Sequence, residues 1–392
     1  MGDSEPDLIR TSASANFLEW NFSIMSGGPW SVEQGMTQLL AHESAEGLSL
    51  PLAVAVQSDA RVIQELGRRR TPTAVAALRA FQAMSPVDTQ RDLARLNADR
   101  LVAEGQPEPS WTDTLGRVRV DGCWWAHDEF GETAILLCAF SYDGDDPHGI
   151  LMLIDRTLGG GMVRELTLSM DVDALRGILG GADGGGEGIV SEPLDPAYAR
   201  RLIEDAIATS DELSENPEYK LRPLPQAYRK MRALTLARAR ALSPAAAPPE
   251  PFPGNVEVEL LKRNFLDSDA ASGLPRTGAT TRAVDLLVAH FVEQAACHPL
   301  QLGPRRVQAV LGLSSLGPEA VGDPDVVHVL PEVARAWISW TATERGLSVE
   351  ATKQLERVAE QACATLGAAA SEEAASDGGV ASDGEAAGDP RG

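Results

Sequence analysis

The densest set of metal-ligating side chains in the chain lies in one short stretch, Asp143, Asp145, Asp146 and His148, with Asp155 further along. Carboxylate oxygens suit Ca²⁺, Mg²⁺ or Mn²⁺, and one histidine extends the range to Zn²⁺ or another transition metal. A metal-dependent enzyme, a hydrolase for example, is therefore one reading of this loop. The spacing departs from the D-x-D-x-D-G of an EF-hand, and no H-E-x-x-H occurs. Asp and Gly are also the residues that satisfy turn geometry, and a solvated hairpin loop is the preferred reading. Alternate turns of a meander lie at opposite ends of the sheet. The His127-Asp128-Glu129 turn is then not expected to converge on this loop, and Asp155 belongs at the far end of its strand from His148.

Other chemistries leave weaker traces. Gly159-Gly160-Gly161 resembles a phosphate cradle, but a strand-like Met162-Val163-Arg164 follows it rather than a helix, and no Lys-Ser/Thr pair accompanies it. A tight hairpin needing positive φ explains the glycines better. No Gly-x-Ser-x-Gly elbow is present. The four cysteines, Cys123, Cys138, Cys297 and Cys363, form no C-x-x-C pair. That excludes a zinc knuckle or a dithiol redox motif of that type. Cys297 and His298 are adjacent in sequence, which does not bring their side chains together into a dyad.

Two features point instead to partners. Lys220, Arg222, Arg229, Lys230, Arg232, Arg238 and Arg240 carry positive charge with no acid between them. The functional reading is a partner or nucleic-acid face centred on Arg229, Lys230 and Arg232. The competing reading is internal pairing with Glu204, Asp205, Asp211, Glu212 and Glu215, or a solvated face, and it is preferred because the overall field is negative. Trp124 and Trp125 point to opposite faces if they lie in a strand, so one of them is a candidate contact residue. Trp337 and Trp340, at i and i+3, read as core.

These residues need elements to hold them. Residues 1–30 read as loosely ordered. Residues 31–105 read as a helical unit. Ser31 with Gln34 resembles a capping box for a helix to Ala41. A helix from Pro51 to Leu66 stops at Gly67, and Thr71-Pro72 opens another to Met84. Residues 110–180 read as an antiparallel sheet region packed on helices. Its strands are Val118–Trp125, Thr133–Tyr142, Ile150–Asp155 and Met162–Ser169, with turns between them. Thr133–Phe140 and Ile150–Ile154 are apolar at nearly every position, as strands covered on both faces are. Gly180–Gly188 reads as a flexible link, residues 193–242 as a helical pair, and residues 243–254 as a Pro-rich linker. Residues 255–366 read as a helical C-terminal domain with candidate helices Val256–Leu266, Thr280–Ala296, Pro304–Leu311, Pro331–Arg345 and Val349–Leu366. Residues 367–392 have the composition of a disordered acidic tail.

Ser141-Tyr142-Asp143-Gly144 and His148-Gly149-Ile150-Leu151-Met152-Leu153-Ile154-Asp155-Arg156-Thr157-Leu158-Gly159-Gly160, with Arg164-Glu165 after it, resemble a hairpin segment of an uncharacterised actinobacterial protein family. Pro107-Glu108-Pro109-Ser110-Trp111 and Leu330-Pro331-Glu332-Val333-Ala334-Arg335-Ala336-Trp337 are similar in the same order. That family has a Val-Asp-His-Asn-Leu-Gly-Gly-like turn, where this chain has Arg156-Thr157 in place of His-Asn. Any role of that histidine is not carried over. The resemblance implies an order of elements and no activity.

The 392 residues carry a formal charge of −23, with 43% apolar and 5% aromatic residues. The acidity argues against general attraction to nucleic acid or an anionic membrane. No apolar run reaches the ~18–20 residues of a membrane span, and Met1–Arg10 lacks the basic and apolar regions of a secretory signal. The expectation is an α+β protein of the cytoplasm: an N-terminal helical unit on a small antiparallel β-meander, then an all-helical C-terminal domain and a disordered acidic tail. The favoured function is a non-enzymatic interaction or adaptor protein with a protein partner. Nucleic acid and membrane are not expected partners, no cofactor is expected beyond the divalent metal of the alternative reading, and oligomeric state is left open. The alternatives are the metal-dependent enzyme of the Asp143–His148 loop and, more weakly, a nucleic-acid-linked regulator using residues 219–240.

Overall fold

The computed structural model describes residues 27–42, 50–143, 145–157, 161–182, 189–215, 226–247, 254–294, 298–311 and 323–377. The chain divides into two compact units. The first runs to Pro249, apart from residues 129–132 and 157–159, and the second holds those two short segments with residues 250–392. The division falls inside the Pro-rich stretch.

Among the described residues, the first unit opens with helices α1 (Pro29–Leu40), α2 (Leu52–Arg68), α3 (Pro72–Met84) and α4 (Asp88–Ala103). Thr71 caps α3 through its side chain and Pro72 takes the first helical position, as the sequence predicts. The predicted capping box at Ser31 is not used. Pro29 at the first turn starts α1 two residues earlier, after Gly28. The Ala-rich face of α3 is almost wholly buried and forms a core with Val32, Met36, Ile63, Leu66 and Leu101.

The sheet that follows has strands β1 (Arg119–Asp128), β2 (Thr133–Tyr142), β3 (Asp145–Asp155) and β4 (Met162–Ser169). Helix α5 (Val172–Ala182) and strand β5 (Ile189–Pro193) come next, then helices α6 (Pro196–Glu215) and α7 (Gln226–Ala241). The strand order is β4-β3-β2-β1-β5, with every described pairing antiparallel. Neither α5 nor β5 was foreseen, because both flank the glycine-rich run and lack a strong period. One sheet face packs with Ala199, Leu202, Ile203 and Tyr228 of α6 and α7. The other packs with Leu175 and Leu179 of α5. The N-terminal helices meet the sheet through α1 and at Leu168, which packs against their core. Strand β1 carries a bulge between Val120 and Gly122. A Cβ on Gly122 would lie 2.4 Å from the ring of Trp124 and would have to displace it.

The second unit contains helices α8 (Asn255–Leu266), α9 (Gly278–Ala289), α10 (Pro304–Leu311), α11 (Pro324–Glu344) and α12 (Val349–Asp377). Its core centres on Phe265, Phe291, Trp337 and Trp340, so the predicted tryptophan stripe is core. Helix α11 begins at Pro324 rather than Pro331. Asp323 caps it and Pro331 is carried inside the helix, a position read from sequence as a start. Helix α12 continues to Asp377, past the predicted end, and residues beyond it lie outside the described ones. Within this unit the buried carboxylate of Glu132 accepts the backbone N–H groups of Arg305 at 3.0 Å and Arg306 at 2.6 Å, capping α10. Gly303 leaves room for it, since a Cβ there would stand 2.4 Å from the carboxylate carbon. No helix among the described residues is long and apolar enough to cross a membrane.

Candidate functional site

The structure moves the Asp143–His148 stretch from a loop into a strand. Strand β3 begins at Asp145, Phe140 stands opposite His148, and the register shifts between Phe140 and Tyr142. Positive φ at Asp143 and Asp146, 47° at each, lets the chain turn this tightly. The expected loop is therefore largely strand, from Asp145 onward. Asp143, Asp145 and Asp146 are exposed, while His148 is fully buried. The histidine does not join the aspartates. Asp155 is buried at the other end of the strand, with Arg164 at 3.6 Å. Among the described residues no group of three or more His, Cys, Asp or Glu is placed to hold a metal ion.

His148 belongs instead to a buried network that includes an inward-facing arginine of the basic stretch. Arg238 lies on the face of α7 that carries Met231 and Leu234, at helical spacing. Its Nε donates to His148 Nε2 at 2.8 Å, and its Nη2 donates to Glu33 Oε2 and to the Tyr142 hydroxyl at 3.3 Å. Glu33 Oε1 also accepts the backbone N–H of Gly116 at 2.9 Å. Glu33, His148 and Arg238 are each 0% exposed. Trp30, one turn before Glu33 on α1, lies 4.5 Å from the His148 ring, and Phe140 stacks on it at 5.9 Å. The Arg238 guanidinium lies over the ring of Tyr142 at 5.7 Å.

The protonation states follow from the donors. Arginine is always a donor, so His148 Nε2 must accept. Its Nδ1 then carries the proton and donates to the Asp146 carbonyl at 2.8 Å. A second proton on His148 would displace Arg238 and place two cations in contact. Burial, then the Arg238 charge, lowers the imidazole from 6.5 to about 4. Burial likewise pushes the Tyr142 phenol well above its usual range. At neutral pH the cluster is one carboxylate, one guanidinium, a neutral imidazole and a neutral phenol. Its net charge is zero, the form in which such groups can be buried together.

The remaining partner candidates are largely occupied. Arg232 forms an ion pair with Asp211 through Nε and Nη2, the partner helix named by the internal-pairing reading. Tyr228 donates to the same carboxylate at 2.8 Å. Arg229 donates to the Leu50 carbonyl at 2.7 Å, and Arg240 to the Ala83 carbonyl at 2.8 Å. Lys220 and Arg222 lie outside the described residues, as does Cys297. Trp124 and Trp125 do point to opposite faces, and neither is fully exposed. Trp124 packs beside Leu175 and Leu179 under the Arg176 guanidinium, 4.4 Å from its ring. Trp125 donates to Glu192 at 2.9 Å and meets Tyr198 edge-on.

Lys230 lines an open groove of about 410 Å³ between α1 and α7. Met231, Leu234 and Leu168 are its apolar lining, and Ser31, Gln34, Thr37 and Gln38 its polar side. Glu33 and Arg238, bonded to each other, sit on these same two helices, so the buried ion pair ties the two walls together. Glu33 was missed in the sequence. Its signal is a lone acid between Val32 and Met36, both buried, on the face of α1 that also buries Thr37. Comparison of the chain with protein-family models, with curated proteins and with solved structures finds no match.

Proposed function

We propose that this chain is a non-enzymatic interaction protein, and that the groove between α1 and α7 receives a short peptide segment of a protein partner. The observation that carries the reading is the groove itself, with its apolar lining, amide and hydroxyl edge and a lysine beside them. Mixed lining of this kind fixes a segment by shape and orients it by a few hydrogen bonds. Pre-organisation supports the same reading. The walls are held by a bond between Glu33 and Arg238 that forms without the partner, so docking would not have to order them. The chemically capable groups nearby, His148 and Tyr142, are committed to the buried network. That is why an interaction role is favoured over catalysis at the Asp143–His148 stretch.

The test fills the groove from its exposed side. Gln34→Trp with Gln38→Trp leaves the core untouched, because both glutamines face solvent. Affinity capture from cells of the source organism should recover a partner with the unaltered chain and lose it with the double variant, at equal thermal stability. Equal recovery by both chains rules the groove out as the docking site.

A further inference from the structure

Cys123 of β1 and Cys138 of β2 stand directly opposite each other in the antiparallel register. Both are free thiols, both are buried, and both contribute to the same core on one sheet face. Directly opposed residues of antiparallel strands have Cα atoms about 4.5–5.5 Å apart, inside the span of ~4.4–6.8 Å that a disulfide bridges. The facing Cys138 lowers the Cys123 thiol below its usual range against the opposing effect of burial. The facing Cys123, together with burial, holds the Cys138 thiol well above that range. The ladder to β2 is interrupted two residues before Cys123, at Asp121, and resumes with Gly122 opposite Ala139.

We propose that Cys123 and Cys138 form a reversible oxidation site for hydroperoxides that closes to a cross-strand disulfide. The Cys123 sulfur attacks the terminal peroxide oxygen, the O–O bond breaks, and the leaving oxygen departs as water or an alcohol with the thiol proton. Cys123 is then a sulfenic acid. The Cys138 sulfur attacks that sulfur, the S–O bond breaks, and the hydroxyl leaves as water with the Cys138 proton. Two thiols are oxidised by two electrons and one hydroperoxide is reduced. Cys123 is the attacking group because it is the less deeply buried of the two, 4% exposed against 1%. Cys138 resolves because it stands directly opposite.

The full-length folded chain, treated with excess hydrogen peroxide, should lose two hydrogen atoms per molecule. Non-reducing peptide mapping should place the link between Cys123 and Cys138. Dithiothreitol should restore both thiols, and the circular dichroism should stay unchanged throughout. In Cys138→Ser, dimedone should label Cys123, whereas in Cys123→Ser it should leave Cys138 unlabelled. The proposal is overturned if both residues stay thiols in the folded chain under conditions that oxidise the urea-unfolded chain. A link from either one to Cys297 or Cys363 overturns it as well. If a serine variant fails to fold, the map of the unaltered chain decides alone.

Discussion

Removing either end of the buried Glu33–Arg238 pair should destabilise the first unit by an amount that depends on how many partners each group serves. Breaking a buried pair at one end typically costs ~3–5 kcal/mol, because the other charge stays in a low-dielectric site. Glu33→Gln removes the charge but keeps an oxygen for the Gly116 N–H, so it belongs near 3 kcal/mol. Arg238→Met strands the Glu33 carboxylate and also leaves His148 Nε2 and the Tyr142 oxygen without their donor, which places it near 5 kcal/mol. With a urea slope of about 3 kcal/mol/M, the midpoints should fall by about 1 M and 1.7 M respectively. The double variant should recover ~2–3 kcal/mol of the sum, since each change relieves the penalty left by the other. Urea unfolding followed by tryptophan fluorescence suits the measurement, because Trp30 lies against His148. If both single variants stay within ~1 kcal/mol of the parent, the pair behaves as an exposed surface bridge and the argument fails.

Acid should loosen the same cluster. The folded imidazole of His148 titrates at about 4 and the unfolded one near 6.5, so between these values the unfolded chain binds the extra proton. The stability due to neutral His148 is complete above the unfolded value and is lost as pH falls toward 4, by at most about 3 kcal/mol. Urea midpoints across this window should slope less in His148→Gln, which keeps an acceptor for Arg238, and equal slopes would count against the reading. In the second unit, Glu132→Ala leaves two buried N–H groups of α10 uncapped and should cost about 1–2 kcal/mol, read as a lower melting temperature. Gly303→Ala should act in the same direction by pushing into that carboxylate, and a neutral effect would mean the cap is loose in solution.

The sheet was the most legible part of the fold. Thr133–Tyr142 and Met162–Ser169 were bounded correctly because continuous apolar runs ended at glycine, aspartate or serine. β3 was read too short because Asp145, Asp146 and Pro147 carry turn chemistry, and only the pairing with β2 draws them into the strand. The site was legible only in fragments. Arg238 was noticed as one charge in a run, yet its depth follows from its place on the Met231–Leu234 face, a tertiary fact. Glu33 and His148 lie far from it in sequence, and no local pattern announces that three such residues will share one buried site. The start of α11 is ambiguous locally: Asp323-Pro324 and Pro331 both carry helix-opening chemistry, and the helix caps at Asp323 and carries Pro331 inside it.

The Glu33–Arg238 bond joins residues 205 positions apart. A ribosome adding about 5–20 residues each second needs roughly 10–40 s to cover that distance. Throughout that interval α1 has been made and α7 has not. Val32 and Met36, buried in the finished protein, must wait beside a carboxylate with no counter-charge. Contacts of such long sequence separation form late. Helix α1 is thus made early and locked late, and the groove it walls exists only once synthesis has passed α7.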